Sequence, residues 1–593
     1  MNKKIRWTII IAIAIILIAI ITISIINEIG FNYKIEEISE YNYFVLVQDG
    51  KYGVIDKNGN IVIEAKYEAV QIPNPSKPVF VCIKEYNQET KEYDTVVYNE
   101  KNEELFSQYK NVQAIAIFTN INSTPYEKSV LTYKENDKYG LIDLKGKQIT
   151  KAVYDEISSI NYKEGTFLVK QNELEGIINM KGKVIIKCEY ESVNSDNYYN
   201  EKEPRQTRKN DNNQPAGFVV SKKTENGYRY GYINYKGTTI INPIYTQLSR
   251  VTEITNDKNL YFIAFKDGQA GLLKNNKEIL NYEYEDIQYN VLSDIFIVQR
   301  NGKYGATSRD GETILYPEYT TIYTAGIYLN TTKDDGKTYI YDLKGSLIET
   351  NVISKTETDN SNYYITVDKD NIYKVVDKDN NIIIDNNYDY IEYLFGDYFI
   401  VARDYKNGII DAKGQSVIEL KYDNITRIND TDILRMESNQ MIELYDFDMK
   451  KIASMDNGAL QQVKENDQYW MFYSESDFKY IHKSGKIATS QEVFPTNTLF
   501  AKNINGKWGF VDKNGNIKVQ NDYELVTDFN KYGYASIKKD GKWGSINTNG
   551  EVVQEPVYKL KWSMPEFIGK YYRINAWYGD IRFSNQIEGE KDV

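Results

Sequence analysis

From residue 43 onward the chain is written in short runs of apolar and β-branched residues, broken by Asp-Gly and Asn-Gly pairs. Tyr43-Phe44-Val45-Leu46-Val47-Gln48 reads as a strand, and Asp49-Gly50 supplies the positive φ of a two-residue hairpin turn. Lys51 to Asp56 forms the second strand, Asn58-Gly59 reverses the chain, and Ile61-Val62-Ile63 forms the third. Tyr67-Glu68-Ala69-Val70 is a short fourth piece leading out. Each unit is expected to be an antiparallel meander of three to four strands.

The N-terminus follows a different pattern. Trp7 to Ile26 is a stretch of twenty residues without a charge, preceded by Lys3, Lys4 and Arg6. As a helix it would be about 30 Å long, the thickness of the bilayer hydrocarbon core. The positive residues before it and Glu28, Glu36 and Glu37 after it put the N-terminus in the cytoplasm and everything beyond the span outside. A signal peptide would carry a shorter apolar core and a small-residue cleavage site. The expected anchor is therefore an uncleaved single-pass helix at the cell membrane.

The meander recurs with a motif. Gly506-Lys507-Trp508-Gly509-Phe510-Val511-Asp512 and Gly541-Lys542-Trp543-Gly544-Ser545-Ile546-Asn547 lie 35 positions apart. The same frame carries Tyr52, Gly53, Asp56 and Gly59 near the start, then Tyr139, Gly140 and Asp143. A Tyr followed by an acidic residue closes many units, as at Tyr154-Asp155, Tyr190-Glu191, Tyr284-Glu285, Tyr388-Asp389, Tyr422-Asp423 and Tyr523-Glu524. Counting degenerate copies gives about fourteen units, and a period of this size specifies a repeat architecture. Because these residues recur, their expected roles are structural. The glycine permits a bulge or close approach, the aromatic packs on a neighbour, and the Asp or Asn holds the next turn.

These segments resemble the WG-repeat (KWG-repeat) family of bacterial proteins, with Tyr replacing Trp in most copies. The resemblance covers roughly residues 41–558 and implies an all-β repeat domain without implying a reaction. Two arrangements fit: propeller-like, with fourteen units making two seven-bladed rings, or an open superhelical array. The chain then divides into a cytoplasmic stub (1–6), a transmembrane helix (7–26), a linker (27–40), a first repeat region (41–325) with a polar insertion at 194–215, a second repeat region (326–558) and a C-terminal cap (559–593).

Composition narrows the function. The formal net charge of −12 argues against a nucleic-acid partner. The 53 tyrosines serve as strand residues or, alternatively, as stacking platforms for sugars. Cys82 and Cys188 have no metal-site spacing, although a disulfide between them is conceivable. His482 is the single histidine and stands where the frame usually has Asp, so it reads as a turn residue and not as a base. Asp377-Lys378-Asp379-Asn380-Asn381 and Asp368-Lys369-Asp370-Asn371 alternate oxygen ligands but lack the Gly and Glu of a calcium loop. No phosphate loop or nucleophile elbow is present. No cofactor, metal or catalytic residue is expected. The expected function is a membrane-anchored extracytoplasmic module that binds a protein partner or acts as a scaffold, with envelope-glycan binding through exposed Tyr and Trp as the alternative.

Overall fold

The computed structural model describes residues 36–88, 92–117, 125–160, 165–196, 217–254, 259–348, 352–385, 388–560, 564–574 and 581–587. The expected transmembrane helix lies outside them. Among the described residues no helix is long and apolar enough to cross a membrane, and the helix that is described, Ser490–Val493, is a single turn.

The described strands form fourteen small sheets that follow one another around a ring. The fourth sheet shows the plan. Glu156–Ser159, Thr166–Gln171, Leu174–Asn179 and Val184–Tyr190 pair in sequence order, each antiparallel to the next. The two inner strands of a sheet are apolar on both faces and carry the core. The outermost strand alternates, as Ile61–Tyr67 does, with Ile63 and Tyr67 buried and Glu64 and Lys66 exposed. Adjacent sheets pack face to face through clusters such as Tyr232, Phe262 and Leu273 between sheets five and six.

The ring closes at the first sheet. Arg582–Ser584 lies alongside Tyr43–Gln48, pairing Val45 with Arg582 and Val47 with Ser584. This is the one parallel strand pair among the described residues. Phe567–Ile568 and Tyr571–Ile574 extend the same sheet to six strands. Phe44, Leu46, Ile568, Tyr571 and Phe583 form the core of the seam. Closure bears out the propeller-like arrangement expected from the sequence, as one ring of fourteen sheets in place of two rings of seven, and replaces the open array. The tail does more than cap the last unit, because it supplies half of the first sheet. The division at 325/326 falls in the turn between Thr321–Ala325 and Tyr328–Thr332, two paired strands of one sheet.

The unit itself is phased differently from the sequence reading. Numbered by the four-stranded plan, Lys51–Asp56 is a third strand and Ile61–Tyr67 a fourth; this fourth strand runs on through Tyr67, and Ala69–Gln71 belongs to the next sheet, pairing with Cys82 and its neighbours. Asn194 and Ser195, placed in the polar insertion, are the end of the strand Ser192–Ser195. The insertion beyond Asp196 lies outside the described residues.

Candidate functional site

The joint between sheets is built from the Tyr-acidic pair. The tyrosine ends the fourth strand and is buried at positions 67, 190, 245, 319, 422 and 558, followed by an acidic residue at 67, 190 and 422 and by Thr246, Thr320 and Lys559 at the others. Its hydroxyl meets another tyrosine hydroxyl in the following sheet: Tyr245 with Tyr282 at 3.1 Å, Tyr319 with Tyr341 at 2.9 Å and Tyr422 with Tyr445 at 3.1 Å. The acidic residue after it turns the chain into the next sheet, its amide donating to the second strand there, as Asp423 N–H does to the Glu437 carbonyl at 2.7 Å. Its carboxylate accepts an amide from that sheet's hairpin turn. Glu285 takes Gly302 N–H at 3.0 Å, Asp389 takes Asp404 N–H at 2.8 Å and Glu524 takes Gly541 N–H at 3.1 Å. Lys138 on Asp155 and Lys406 on Asp423 add a cation, and these ammonium groups hold both carboxyls below the usual carboxylate range.

The motif aromatic faces the joint. Tyr52 pairs in register with Tyr67, Trp508 with Tyr523 and Trp543 with Tyr558, while Tyr139 bridges to Tyr154. Trp508 and Trp543 are buried, and Tyr52 and Tyr139 are half-buried. Trp508 stacks on Phe478 of the preceding sheet, ring centroids 4.6 Å apart.

The motif glycine sits under a bulge. Tyr52 opposes Tyr67 and Val54 opposes Ile63, so the fourth strand gains two residues while passing Gly53. A Cβ on Gly53, Gly509 or Gly544 would lie 2.3, 2.5 or 2.3 Å from the carbonyl oxygen of Ile63, Val519 or Gln554. Gly140 differs, since its Cβ would strike the Tyr133 ring at 2.5 Å.

The polar residue ending the third strand folds onto its own turn. Asp56 Oδ1 accepts Asn58 N–H at 2.9 Å and Asn60 N–H at 2.8 Å. Asp143, Asp512 and Asn547 repeat the arrangement. Hydrogen bonds led by the Asn516 side chain lower the Asp512 carboxyl to about 2. His482 occupies the same place, Nδ1 lying 3.2 Å from Ser484 N. The turn glycine also spaces the sheets. Gly237 and Gly345 would set a Cβ 2.3 and 2.4 Å from carbonyl oxygens of Ile185 and Ile314 in the sheet before, and Gly59 meets Ile568 at the seam.

The calcium candidates are absorbed by such turns. Asp377 Oδ1 accepts from Asp379 and Asn381 N–H, and its Oδ2 accepts from Asn381 Nδ2. Asp368 Oδ1 likewise accepts from Asp370 and Ile372 N–H. No group of three metal-ligating side chains occurs among the described residues. Cys82 and Cys188 are free thiols, and burial pushes Cys82 up to about 12.

With this geometry in place, comparison with known proteins is direct. A model described as "WG containing repeat" matches residues 52–73, 139–174, 176–200, 230–253, 408–437 and 508–543. The chain carries WG repeats. The WG repeat at 52–73 begins on the third strand of one sheet, crosses the Tyr67-Glu68 joint and ends beyond the first strand of the next. No curated protein matches the chain. Solved structures similar to parts of it include the computationally designed Ika8 protein, at 12% identity over 45% of this chain and 92% of that one, TM-score 0.20. The dihydro-heme d1 dehydrogenase NirN aligns at 11% identity over 46% and 72%, TM-score 0.22. A eukaryotic initiation factor aligns at 12% over 76% and 95%, TM-score 0.20. At these scores the likenesses carry no argument.

Three buried carboxylates are not recurrent motif residues: Glu127, which accepts Gly165 N–H at 2.7 Å, and Asp196 and Asp528, which lie within matched segments. Asp196 accepts Gly217 N–H at 2.8 Å, the Tyr232 hydroxyl and the Arg250 guanidinium at 2.7 Å. Asp528 accepts Ala501 N–H at 3.0 Å and the Tyr480 hydroxyl at 3.1 Å. Burial raises the Asp528 carboxyl above its usual range. Sequence reasoning missed all three, because nothing in the repeat frame singles them out among 84 acidic residues. The well-exposed tyrosines are spread over five sheets, Tyr86 and Tyr93 sharing one, Tyr390 and Tyr405 another, and Tyr228, Tyr316 and Tyr323 each on its own. The Tyr86–Tyr93 pair meets edge to face at 67°.

Proposed function

We propose that this chain is a membrane-anchored extracytoplasmic scaffold whose closed ring binds a protein partner, with no catalytic activity. One observation carries the reading: the recurrent rings, glycines and carboxylates of the repeat are engaged in holding sheet to sheet. The motif with the most chemistry in it therefore has no side chains left for substrate. What remains is a broad polar surface of many short strand edges and turns, suited to numerous small contacts. The lone histidine is tied into a turn, which removes the obvious general base. The anchor rests on the uncharged stretch Trp7 to Ile26 and the basic residues before it.

The glycan alternative would use coplanar rings along one groove, whereas the exposed tyrosines here are distributed over several sheets. The test is crosslinking of the full chain in its native cells beside retention on purified cell wall. A defined crosslinked protein with no wall retention is the expected result. Wall retention lost on replacing the exposed tyrosines would replace this reading with the glycan one.

A further inference from the structure

One repeat position is apolar where the strand end meets solvent. Immediately after the turn between third and fourth strands, the first side chain lies opposite a buried residue such as Ile55 or Ile546 but at the rim of the ring, where a polar residue is expected. It is apolar and exposed in four consecutive sheets across the seam: Ile487 at 58%, Ile517 at 48%, Val552 at 41% and Ile61 at 39%. Leu347 and Ile382, on the eighth and ninth sheets, repeat this on the far side of the fourteen-sheet ring, and Val184 repeats it on the fourth. The equivalent residue is Glu104, Gln148, Thr239, Glu278, Thr313, Ser416 or Lys451 elsewhere.

The adjoining turns carry exposed cations, including Lys145, Lys181, Lys344, Lys413, Lys483 and Lys513. The aspartates of these turns point back onto turn amides, as Asp512 does, so the lysines are the outermost charges there. Some turns also carry acids, such as Glu100, Asp310 and Glu551. The lysine-rich rim is nonetheless unlike a chain of net charge −12.

The N-terminal segment leaves the ring at this same end. Lys57, in the turn beside Ile61, pairs with Glu40 at 2.9 Å and donates its amide to the Asn42 carbonyl at 2.8 Å. Glu36 is tied to Ser129 and Lys77 close by. Only residues 27–35 separate this point from the apolar stretch, and at full extension they reach about 30 Å.

We propose that the end of the ring bearing these turns lies on an anionic lipid surface, its apolar side chains at the headgroup boundary and its lysines on lipid phosphates. Equivalent positions at one end of a closed ring share a plane. Apolar side chains spread around that plane, with gaps, suit a flat fluid surface better than the compact patch a protein partner would need. The inference rests on the reading of Trp7 to Ile26 as an anchor.

The test reconstitutes the full chain in vesicles of equal parts phosphatidylcholine and phosphatidylglycerol. A polarity-sensitive dye is placed by Ile517→Cys or, at the opposite end, by Asp540→Cys, with Cys188→Ser and the buried Cys82 retained. A headgroup-borne quencher should quench the dye at 517 several-fold more than at 540, and Lys483→Glu with Lys513→Glu should reverse the difference. Equal quenching at both positions overturns the proposal. Retention of the full chain in alkali-washed membranes reports separately on the anchor. If that fails, flotation of residues 36–593, which hold every described strand of the ring, with the same vesicles decides the face alone: binding supports it and absence of binding overturns it.

Discussion

Of the three carboxylates buried among the described residues, Glu127, Asp196 and Asp528, the last two are held in contrasting ways. Between the fifth and sixth sheets Asp196 meets the guanidinium of Arg250, itself largely buried, and two further donors. Among the twelfth to fourteenth sheets Asp528 has an amide, a phenol and the Ser490 hydroxyl, and no lysine or arginine pairs with it among the described residues. A buried ion pair is held by mutual dependence, since either partner alone is an uncompensated charge. A buried carboxyl without a cation can relieve its desolvation by taking up a proton. The first site should therefore be sensitive to mutation and the second to pH.

The largest effect expected is at the first site. Arg250→Ala should lower unfolding stability by about 3–5 kcal/mol, read from denaturant midpoints, because it strands Asp196. A loss comparable to that of an exposed ion pair would erase the contrast. Tyr480→Phe takes a donor from Asp528 and should cost about 1–3 kcal/mol at neutral pH. Asp528→Asn keeps an acceptor for Ala501 N–H and removes the charge, so its cost at neutral pH should be within about 1 kcal/mol. The same change at Asp196, which leaves Arg250 unpaired, should be much more damaging. If the two Asn variants were equal, burial and not pairing would govern both sites.

The smallest effect is a drift with pH. The folded Asp528 carboxyl holds its proton more tightly than in the unfolded chain. Its contribution to stability is therefore greatest below the ordinary carboxylate range and falls as pH rises through the raised folded value. The turn aspartates run the other way. The contribution of Asp512 is present above the ordinary range and is lost as pH falls toward about 2. The stability of Asp528→Asn relative to the parent should thus improve between pH 4 and pH 7.5, and a flat difference would place a cation near Asp528.

Much of the fold was legible because the repeat is local. The hairpin turns, the bulge glycines and the turn-holding Asp and Asn all act within one or two strands, and the count of about fourteen units matched fourteen sheets. The phase was not legible: Tyr67-Glu68-Ala69-Val70 reads as one piece of chain, and only the pairing of Val70 with Cys82 shows that it spans two sheets. The strand pair that closes the ring was not legible either, since Val45 and Arg582 lie at opposite ends of the sequence. Asp196 and Asp528 carried no local signal, because their burial is decided by contacts far along the chain, such as Arg250 and Tyr480.

The phase of the repeat has a consequence for how such a protein changes size. Each unit supplies the trailing half of one sheet and the leading half of its successor. Excising one whole unit would leave two complementary halves that can rejoin as a complete sheet, and inserting one would split a sheet and restore both parts. Duplication and loss in the gene could then alter the circumference stepwise without ever exposing an unfinished edge, while the same tail fastened the circle.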